Sequence, residues 1–186
     1  VRNLVSNNFC QGADVAISVD ATSENNNIAG NYIYTTEANS IFIEGKENQI
    51  TGNFIISAWV NSIYINSDFN VISGNYINDS YNKGIYLSDA DYNLIADNEI
   101  RDSGTATNDT YSAILLDHNT PTYCTYNYIH DNYIHDTAAN KSKYGIRENH
   151  ANSNYNYAWN NFIKGPVTLD ISLLGANSDA SDNIIL

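Results

Sequence analysis

Positive charge is scarce in this chain. Its 186 residues include 8 Lys and Arg against 21 Asp and Glu, which gives a formal net charge of −13. Binding to nucleic acids or to anionic membranes needs a basic surface, so this balance argues against both. Long apolar runs are missing too, because no stretch reaches the length of a membrane span and no secretory signal is present. We therefore expect no nucleic-acid partner and no direct membrane insertion.

A short pattern recurs eight times along the chain. It consists of an Asn (Ser178 in the eighth copy), an apolar residue two positions later, a residue that is small in most copies, then Gly, Asn or Asp, a second Asn, and another apolar residue two positions on. The second Asn lies at Asn8, Asn31, Asn53, Asn75, Asn98, Asn132, Asn161 and Asn183, at intervals of 23, 22, 22, 23, 34, 29 and 22 residues. A fixed period in this range is typical of a solenoid, in which each repeat buries its apolar side against its neighbours.

Each repeat also carries a second segment with period-two alternation, as expected of a strand with one buried face. These segments are residues 16–19, 40–44, 62–66, 84–88, 113–117, 145–149 and 170–174. We predict one all-β domain over residues 1–186, a parallel β-helix of about eight coils with three short strands per coil, stacked about 4.8 Å apart. The two cysteines, Cys10 and Cys124, then lie on different coils, too far apart for a disulfide, and Cys10 occupies an inward position as a buried free thiol.

The residue before the second Asn is always one that tolerates a left-handed backbone, as a tight corner requires. These residues are Asn7, Gly30, Gly52, Gly74, Asp97, Asp131, Asn160 and Asp182. We predict that the second Asn points into the corner and bonds to the coils above and below. The predicted ladder contains Asn8, Asn31, Asn53, Asn75, Asn98, Asn132 and Asn161.

The signature N-x-I-x-G-N-x-I, followed by G-I-x-L, resembles the right-handed parallel β-helix repeat of the pectate-lyase-like superfamily over residues 3–186. That superfamily includes polysaccharide lyases, glycoside hydrolases, epimerases, phage tailspikes and surface proteins without catalysis. The abundance of Asn and Tyr is similar to archaeal cell-surface β-helix proteins, including disaggregatase-like ones. The resemblance implies an extracellular or cell-surface location and a polysaccharide or oligosaccharide partner. Because the pattern is under way at Val1 and ends on a strand at Leu186, we expect neighbouring domains in a longer chain.

The two stretched repeats, coils five and six, predict a groove. Their extra residues lie at 102–111, 117–125, 136–143 and 149–155, and all flank the sheet that carries segments 113–117 and 145–149. Loops raised on both sides of a rigid face form a groove where binding sites tend to occur. In the superfamily that the chain resembles, the substrate also lies along this sheet. The other interpretation is ordinary variation in loop length.

Outward residues of this sheet are candidate substrate contacts. Phe42, Tyr64 and Tyr86 form a column of rings that could stack on sugars. On coil six, Asn149 is an outward residue of the sheet segment and His150 directly follows it. The rings could equally support each other across strands.

Four residues are candidate catalytic groups. Arg147 could hold a uronate carboxylate or act as the base of a lyase, with Asp117 one coil earlier as acid or base. His118 directly follows the sheet as an acid–base candidate. Glu148 falls at an inward position, where a carboxylate must be paired, protonated, or turned to solvent by a bulge.

Asp79, Asp102 and Asp136 occupy equivalent positions on coils four, five and six and form a candidate Ca²⁺ site. Turn aspartates that bond to the local backbone are the alternative. The four histidines show no spacing typical of zinc. Sequons at Asn78, Asn108 and Asn140 are candidate glycosylation sites, although a few are expected by chance in so Asn-rich a chain.

The catalytic motifs of the resembled superfamily are absent: the chain has no paired aspartates of the polygalacturonase kind, no Gly-His-Gly and no Arg-Ile-Lys. Our leading functional prediction is an extracellular carbohydrate-binding or polysaccharide-processing β-helix module with a groove at coils five and six. If it is an enzyme, a polysaccharide lyase or glycoside hydrolase is the expected class. The alternatives are a non-catalytic stalk, an adhesin, calcium-dependent or not, and a phage-spike segment.

Overall fold

A computed structural model describes residues 2–118, 122–139, 141–166 and 168–186, with only the backbone of Leu169. The described chain consists of short strands. Coils one to three contain β1 (Leu4–Ser6), β2 (Phe9–Gln11), β3 (Ile17–Val19), β4 (Asn27–Ala29), β5 (Tyr32–Thr36), β6 (Ile41–Ile43), β7 (Gln49–Thr51), β8 (Phe54–Ala58) and β9 (Asn61–Ile65). Coils four and five contain β10 (Val71–Ser73), β11 (Tyr76–Ser80), β12 (Lys83–Ser88), β13 (Leu94–Ala96), β14 (Glu99–Ser103) and β15 (Ser112–Asp117). Coils six to eight contain β16 (Tyr128–His130), β17 (Tyr133–His135), β18 (Tyr144–Glu148), β19 (Tyr157–Trp159), β20 (Phe162–Lys164), β21 (Leu169–Ser172), β22 (Asp179–Ser181) and β23 (Ile184–Ile185).

The strands form three parallel sheets, each built from the equivalent strand of successive coils. Sheet A has the order β1-β4-β7-β10-β13-β16-β19-β22, sheet B the order β2-β5-β8-β11-β14-β17-β20-β23, and sheet C the order β3-β6-β9-β12-β15-β18-β21. The register follows the repeat, as in Val5↔Ile28 on sheet A and Ile33↔Ile55 on sheet B. The predicted all-β, right-handed parallel β-helix is confirmed. No helix in the described ranges is long and apolar enough to cross a membrane.

The interior is a set of isoleucine columns. On sheet C, for example, Ile41, Ile63 and Ile85 are fully buried and follow one another in register. A β-branched side chain suits an inward strand position, since it loses little rotamer freedom there and fills the space between coils. Cys10 packs half-buried against this core as a free thiol, and Cys124 is a buried free thiol.

Two asparagine ladders line the corners beside sheet A. In the predicted ladder, each Asn after Asn8 accepts hydrogen bonds from the backbone amide and the side-chain amide of the ladder Asn on the preceding coil, as from Asn53 N and Nδ2 to Asn75 Oδ1, both 3.0 Å. A second ladder, which was not predicted, contains Asn3, Asn26, Asn48, Asn70, Asn93, Asn127 and Asn156. Most of these amides are buried, so the ladders satisfy backbone groups that water does not reach.

The corner between sheets A and B has the left-handed backbone that its residues predict, with φ of 62° at Gly74 and 56° at Asp97. The corner between sheets C and A has the same conformation but a different composition. From coil four to coil seven it contains Phe69, Tyr92, Tyr126 and Tyr155, with φ of 61°, 56°, 56° and 55°. A left-handed backbone costs about 1–2 kcal/mol at a residue with a side chain. We refer to these four residues as the corner aromatics.

The rings of the corner aromatics stack in one continuous column. Successive ring centroids are 5.1, 4.9 and 4.8 Å apart, and the ring planes differ by 6°, 2° and 2°. A stacked pair contributes about 0.5–1.5 kcal/mol beyond the area it buries. With four strained residues and three stacked pairs, the stacking contact alone is no larger than the backbone strain, and the apolar area that the rings bury adds to the stacking contribution.

Candidate functional site

The outward column of sheet C follows the predicted register. Phe42 pairs with Tyr64, Tyr64 with Tyr86, Tyr86 with Leu115, and Leu115 with Arg147. Arg147 therefore lies on the same face as the aromatic column, two coils after Tyr86. The loops at 104–111 and 136–143 precede β15 and β18 and bond to each other, with Asp109 N donating to Lys141 O at 3.0 Å. On the other side, Tyr126 N donates to Asn154 O at 3.2 Å. Residues 119–121 and 140, which belong to these insertions, and the sequon at Asn140 lie outside the described residues.

The aromatic column is self-stacked. Phe42 and Tyr64 have ring centroids 5.0 Å apart with planes 17° apart, and Tyr86 lies 5.0 Å from Tyr64 at a tilt of 58°. Because stacked rings cover each other's faces, mainly the ring edges remain available to a ligand. The structure thus contains the cross-strand support that was the alternative interpretation, and sugar contact by these rings stays a prediction.

Asp117 is the centre of a polar cluster at the end of β15. Its carboxylate accepts hydrogen bonds from Asn149 Nδ2 at 3.0 Å, the His118 amide at 2.9 Å and the Tyr86 hydroxyl at 3.3 Å. Burial by itself raises the pKa of Asp117, but these hydrogen bonds outweigh it and the net shift lowers the pKa. Burial also raises the pKa of the Tyr86 phenol, with the Asp117 charge adding to the shift. At neutral pH the cluster therefore presents a carboxylate beside a protonated phenol.

Two predicted histidines meet next to this carboxylate. The rings of His118 and His150 are 4.3 Å apart, and Tyr123 packs on both at 5.1 and 4.9 Å. His118 Nδ1 lies 3.6 Å from Asp117 Oδ1, and it is a buried atom without a hydrogen-bond partner in the described part of the chain. The structure thus brings together Asp117, His118 and His150 with Asn149 and Tyr86.

Three cations border the same face. Lys83 Nζ lies 4.4 Å from the ring centroid of Tyr86, Arg147 Cζ lies 4.6 Å from that of Tyr144, and Lys143 Nζ lies 5.7 Å from Tyr144. Among the described residues, none of these cations forms an ion pair with a carboxylate. Burial lowers the pKa of Lys83, against the opposing effect of Asp117. We refer to Lys83, Lys143 and Arg147 as the cation group.

Sequence reasoning found Arg147 but missed the two lysines. Lys83 directly precedes the Gly-Ile step of β12, where coil six has Tyr144. The available signal was the rarity of Lys and Arg, because three of only 8 lie around one sheet.

Glu148 is not part of this face. Its side chain points inward and is fully buried on β18, in register with Leu116, so no bulge turns it to solvent. Its oxygens accept bonds of 2.6 Å from Asn156 Nδ2, 2.6 Å from Ser178 Oγ, 2.6 Å from Leu174 N and 2.7 Å from Gly175 N. The carboxylate is paired inside the solenoid, which removes it as a reachable acid or base.

The predicted calcium aspartates do not converge. Asp79 and Asp102 adopt left-handed corner conformations, whereas Asp136 is buried and bonds to Ser142 and to the amide of Ser103. Asp102 accepts bonds from Thr137 and the amide of Ala138. In the described ranges, no group of three or more His, Cys, Asp or Glu is arranged to hold a metal ion. The oxygens are occupied by protein donors, as expected of turn aspartates.

A family model described as "Periplasmic copper-binding protein (NosD)" matches residues 1–168. The chain belongs to the NosD family. A search of curated proteins finds no match.

Similar solved structures are all β-helix proteins. The A-module of mannuronan C-5 epimerase AlgE6 from Azotobacter vinelandii has a TM-score of 0.72 at 14% identity, covering 100% of this chain and 58% of that one. The AlgE4 A-module of the same organism has a TM-score of 0.60 at 17% identity, covering 96% and 58%. The enzymatically active domain of tailspike protein 2 from bacteriophage CBA120 has a TM-score of 0.62 at 17% identity, covering 93% and 30%. This chain thus spans little more than half of the epimerase modules, and the likeness concerns the fold.

The residues of this NosD-family chain do not fit a copper site. Copper favours imidazole, thiolate and thioether ligands, but the chain has no Met. Burial raises the pKa of the Cys124 thiol to about 12, so it remains protonated. His130 bonds to Asp131 and stacks on Trp159, and His135 lies 3.4 Å from Glu99. Only His118 and His150 face each other, and no metal-holding group of three forms in the part that the structure describes.

Proposed function

We propose that this β-helix acts outside the cytoplasm and binds an acidic polysaccharide along the outer face of sheet C, across coils four to six. The observation that supports this proposal most is the cation group, three positive charges on one face that form no ion pair with a described carboxylate, in a chain with net charge −13. Unpaired cations next to aromatic rings suit a polymer that alternates carboxylates with apolar ring faces. The location is supported by the periplasmic description of the family and by tailspike similarity.

The names of similar structures support the same substrate class. Two of them are epimerases of mannuronan, a polymer of uronic acid, and the third is an enzymatically active tailspike domain. We include processing of the polymer in the proposal. In a lyase-type cleavage, Asp117 would accept the proton from the carbon next to the uronate carboxylate, and the protonated Tyr86 phenol would donate its proton to the departing glycosidic oxygen as the C–O bond breaks and a C=C bond forms. Arg147 would hold the substrate carboxylate, with His118 and His150 beside these groups. Asn149 would orient Asp117, to which it donates at 3.0 Å.

A non-catalytic stalk is the second candidate. The observation that favours it is the pair of continuous asparagine ladders, which stiffen the solenoid whether or not a ligand binds. A stalk would bind no glycan through Arg147.

Affinity electrophoresis in gels containing polymannuronate tests the proposal, with a neutral glucan gel for comparison. Arg147→Ala should lower the apparent affinity, measured from the retardation, by roughly tenfold or more. Arg147 is partly buried, and a partly buried Arg that pairs with a ligand carboxylate is a typical hot spot. Arg101→Ala is the matched control, because Arg101 lies on sheet B and is paired with Asp102 at 3.1 Å. Equal retardation of the Arg147→Ala variant and the parent chain would reject the proposal in favour of the stalk.

A further inference from the structure

A second surface of the solenoid has a composition that the proposed function does not use. It combines the corner aromatics with the sheet A residues two positions later, which pair in register from coil four to coil seven. We define the apolar strip as Phe69, Val71, Tyr92, Leu94, Tyr126, Tyr128, Tyr155 and Tyr157. The same two positions on coils two, three and eight are polar: Asn25, Asn27, Glu47, Gln49, Asn177 and Asp179. The strip therefore begins and ends abruptly within an otherwise regular repeat.

The fold does not require rings at this corner. Asn25 and Glu47 occupy it on coils two and three with φ of 58° each, the same left-handed backbone. An aromatic residue is poorly suited to that backbone, and the same corner forms on coils two and three without one. Four consecutive strained aromatics thus point to a role beyond forming the corner.

The strip is open to solvent. Phe69 is 49% exposed, Tyr92 47%, Tyr128 42% and Tyr155 38%. Since the corner rings stack face to face, they present their edges outward, and Tyr92, Tyr126 and Tyr155 add a hydroxyl to each edge. As on sheet C, the ring faces are covered, so a ligand meets ring edges and phenol hydroxyls, which suit hydrogen bonds to the hydroxyls of a sugar chain rather than contact with a hydrocarbon core.

We propose that the apolar strip binds an uncharged polysaccharide lying parallel to the solenoid axis. The ring spacings of 5.1, 4.9 and 4.8 Å match the coil height, so each coil presents the same ring edge to one repeat unit of such a polymer. Each unit can then meet one coil in the same way as the unit before it.

The charges around the strip disfavour two other ligands, an acidic polysaccharide and a second copy of this chain. Asp68 and Asp91 lie beside the corner, joined by a 3.0 Å bond from the Asp91 amide to Asp68, and Asp68 is paired with Lys46 at 2.7 Å. Carboxylates at this edge disfavour an acidic polysaccharide. A second copy of the chain would bring a further net charge of −13 against the first.

The test uses Trp159 as a reporter, since it lies beside the strip with its ring 5.9 Å from Tyr128 in an edge contact. Trp59→Phe removes the other tryptophan. In this background, cellohexaose, mannohexaose and polymannuronate are titrated separately while Trp159 fluorescence is recorded. We expect saturable binding of a neutral hexaose and none of polymannuronate at this reporter. Tyr126→Asn should lower the affinity roughly tenfold or more.

Thermal unfolding separates ligand binding from a structural role. Asn tolerates the left-handed corner, so Tyr126→Asn should keep or raise Tm. Tyr133→Asn is the control, because Tyr133 stacks on Phe162 at 4.9 Å on sheet B. It should lower Tm and leave hexaose binding intact. The proposal is overturned if Tyr126→Asn lowers Tm while hexaose affinity is unchanged, if neither hexaose binds, or if the strip instead mediates a dimer that Tyr126→Asn dissolves. Because the strip and sheet C are different faces, Arg147→Ala should leave hexaose binding unchanged, so the two proposals fail separately.

Discussion

Glu148 occupies an inward strand position because its surroundings replace the water it has lost. The second asparagine ladder, which begins at Asn3, ends at Asn156, where the next repeat has Ser178 instead of Asn. Glu148 Oε1 accepts from both of these side chains, and Oε2 accepts from the amides of Leu174 and Gly175. The carboxylate therefore completes the ladder at the point where the repeat changes. Two donors on each oxygen are what a buried carboxylate needs to remain inside a protein.

Replacement of this carboxylate tests its structural role. In Glu148→Gln, the new amide group would face two backbone or side-chain donors, so at least one pair of hydrogen bonds is lost. We expect the free energy of unfolding to fall by about 2–5 kcal/mol. Glu99→Gln is the matched control, because Glu99 is 44% exposed in its side chain on sheet B. Chemical denaturation measures both. A Glu148→Gln variant as stable as Glu99→Gln would show that the carboxylate does not hold the interior together.

At the scale of strands and corners, the repeat was sufficient to predict the architecture. The period, the alternation of residues such as Ile63 and Tyr64, and the Gly, Asn or Asp before the second Asn each have a local physical cause. They point to the same coil, so the sheets, the register and the predicted ladder follow from the sequence. The outward column through Tyr86 and Arg147 followed for the same reason.

The missed features depend on partners distant in sequence or contradict a local rule. The donors to Glu148 come from residues 156, 174, 175 and 178, which no spacing rule connects to position 148. The corner aromatics were hidden because bulky residues are not expected in a left-handed backbone. The Asp117–His118–His150 cluster needed side-chain geometry, although each member could be proposed from its position beside sheet C.

The predicted ladder, to which Asn75 belongs, is expected to stabilise the corner between sheets A and B. Asn75 Oδ1 accepts from Asn53, and its Nδ2 donates to Ile50 O at 2.8 Å and to Asn98 Oδ1 at 3.0 Å. Asn75→Leu leaves buried groups on both neighbouring coils unpaired, at a cost of about 1–3 kcal/mol each, and so lowers the stability of the solenoid. Asn66→Leu, at an exposed position after β9, should change it by less than about 0.5 kcal/mol. An unchanged Tm for Asn75→Leu in thermal unfolding would remove the ladder as a stabilising device.

At the scale of the whole molecule, the net negative charge of the chain acts on any charged ligand that approaches it. The cation group carries three positive charges on sheet C, whereas the chain as a whole has a net charge of −13. A polyanion approaching from a distance meets the net charge and is repelled. At contact it meets the local cations and is attracted. The range of each interaction relative to the screening length therefore decides which of the two dominates.

This competition predicts a maximum in affinity as salt concentration rises. The Debye length is about 30 Å at 0.01 M, about 8 Å at 0.15 M and about 3 Å at 1 M. Salt near 0.1 M should screen the distant carboxylates while contact pairs at Arg147 and the two lysines persist, so polymannuronate should bind more tightly there than at 0.01 M. At 1 M the contact pairs are weakened as well. Titration with polymannuronate at each salt concentration measures the effect. The neutral hexaose serves as the control, because an uncharged ligand is neither repelled by the net charge nor attracted by the cation group. A steady fall in polymannuronate affinity from the lowest salt upward would mean that the cation group dominates at every distance, contrary to the balance of charge proposed for this molecule.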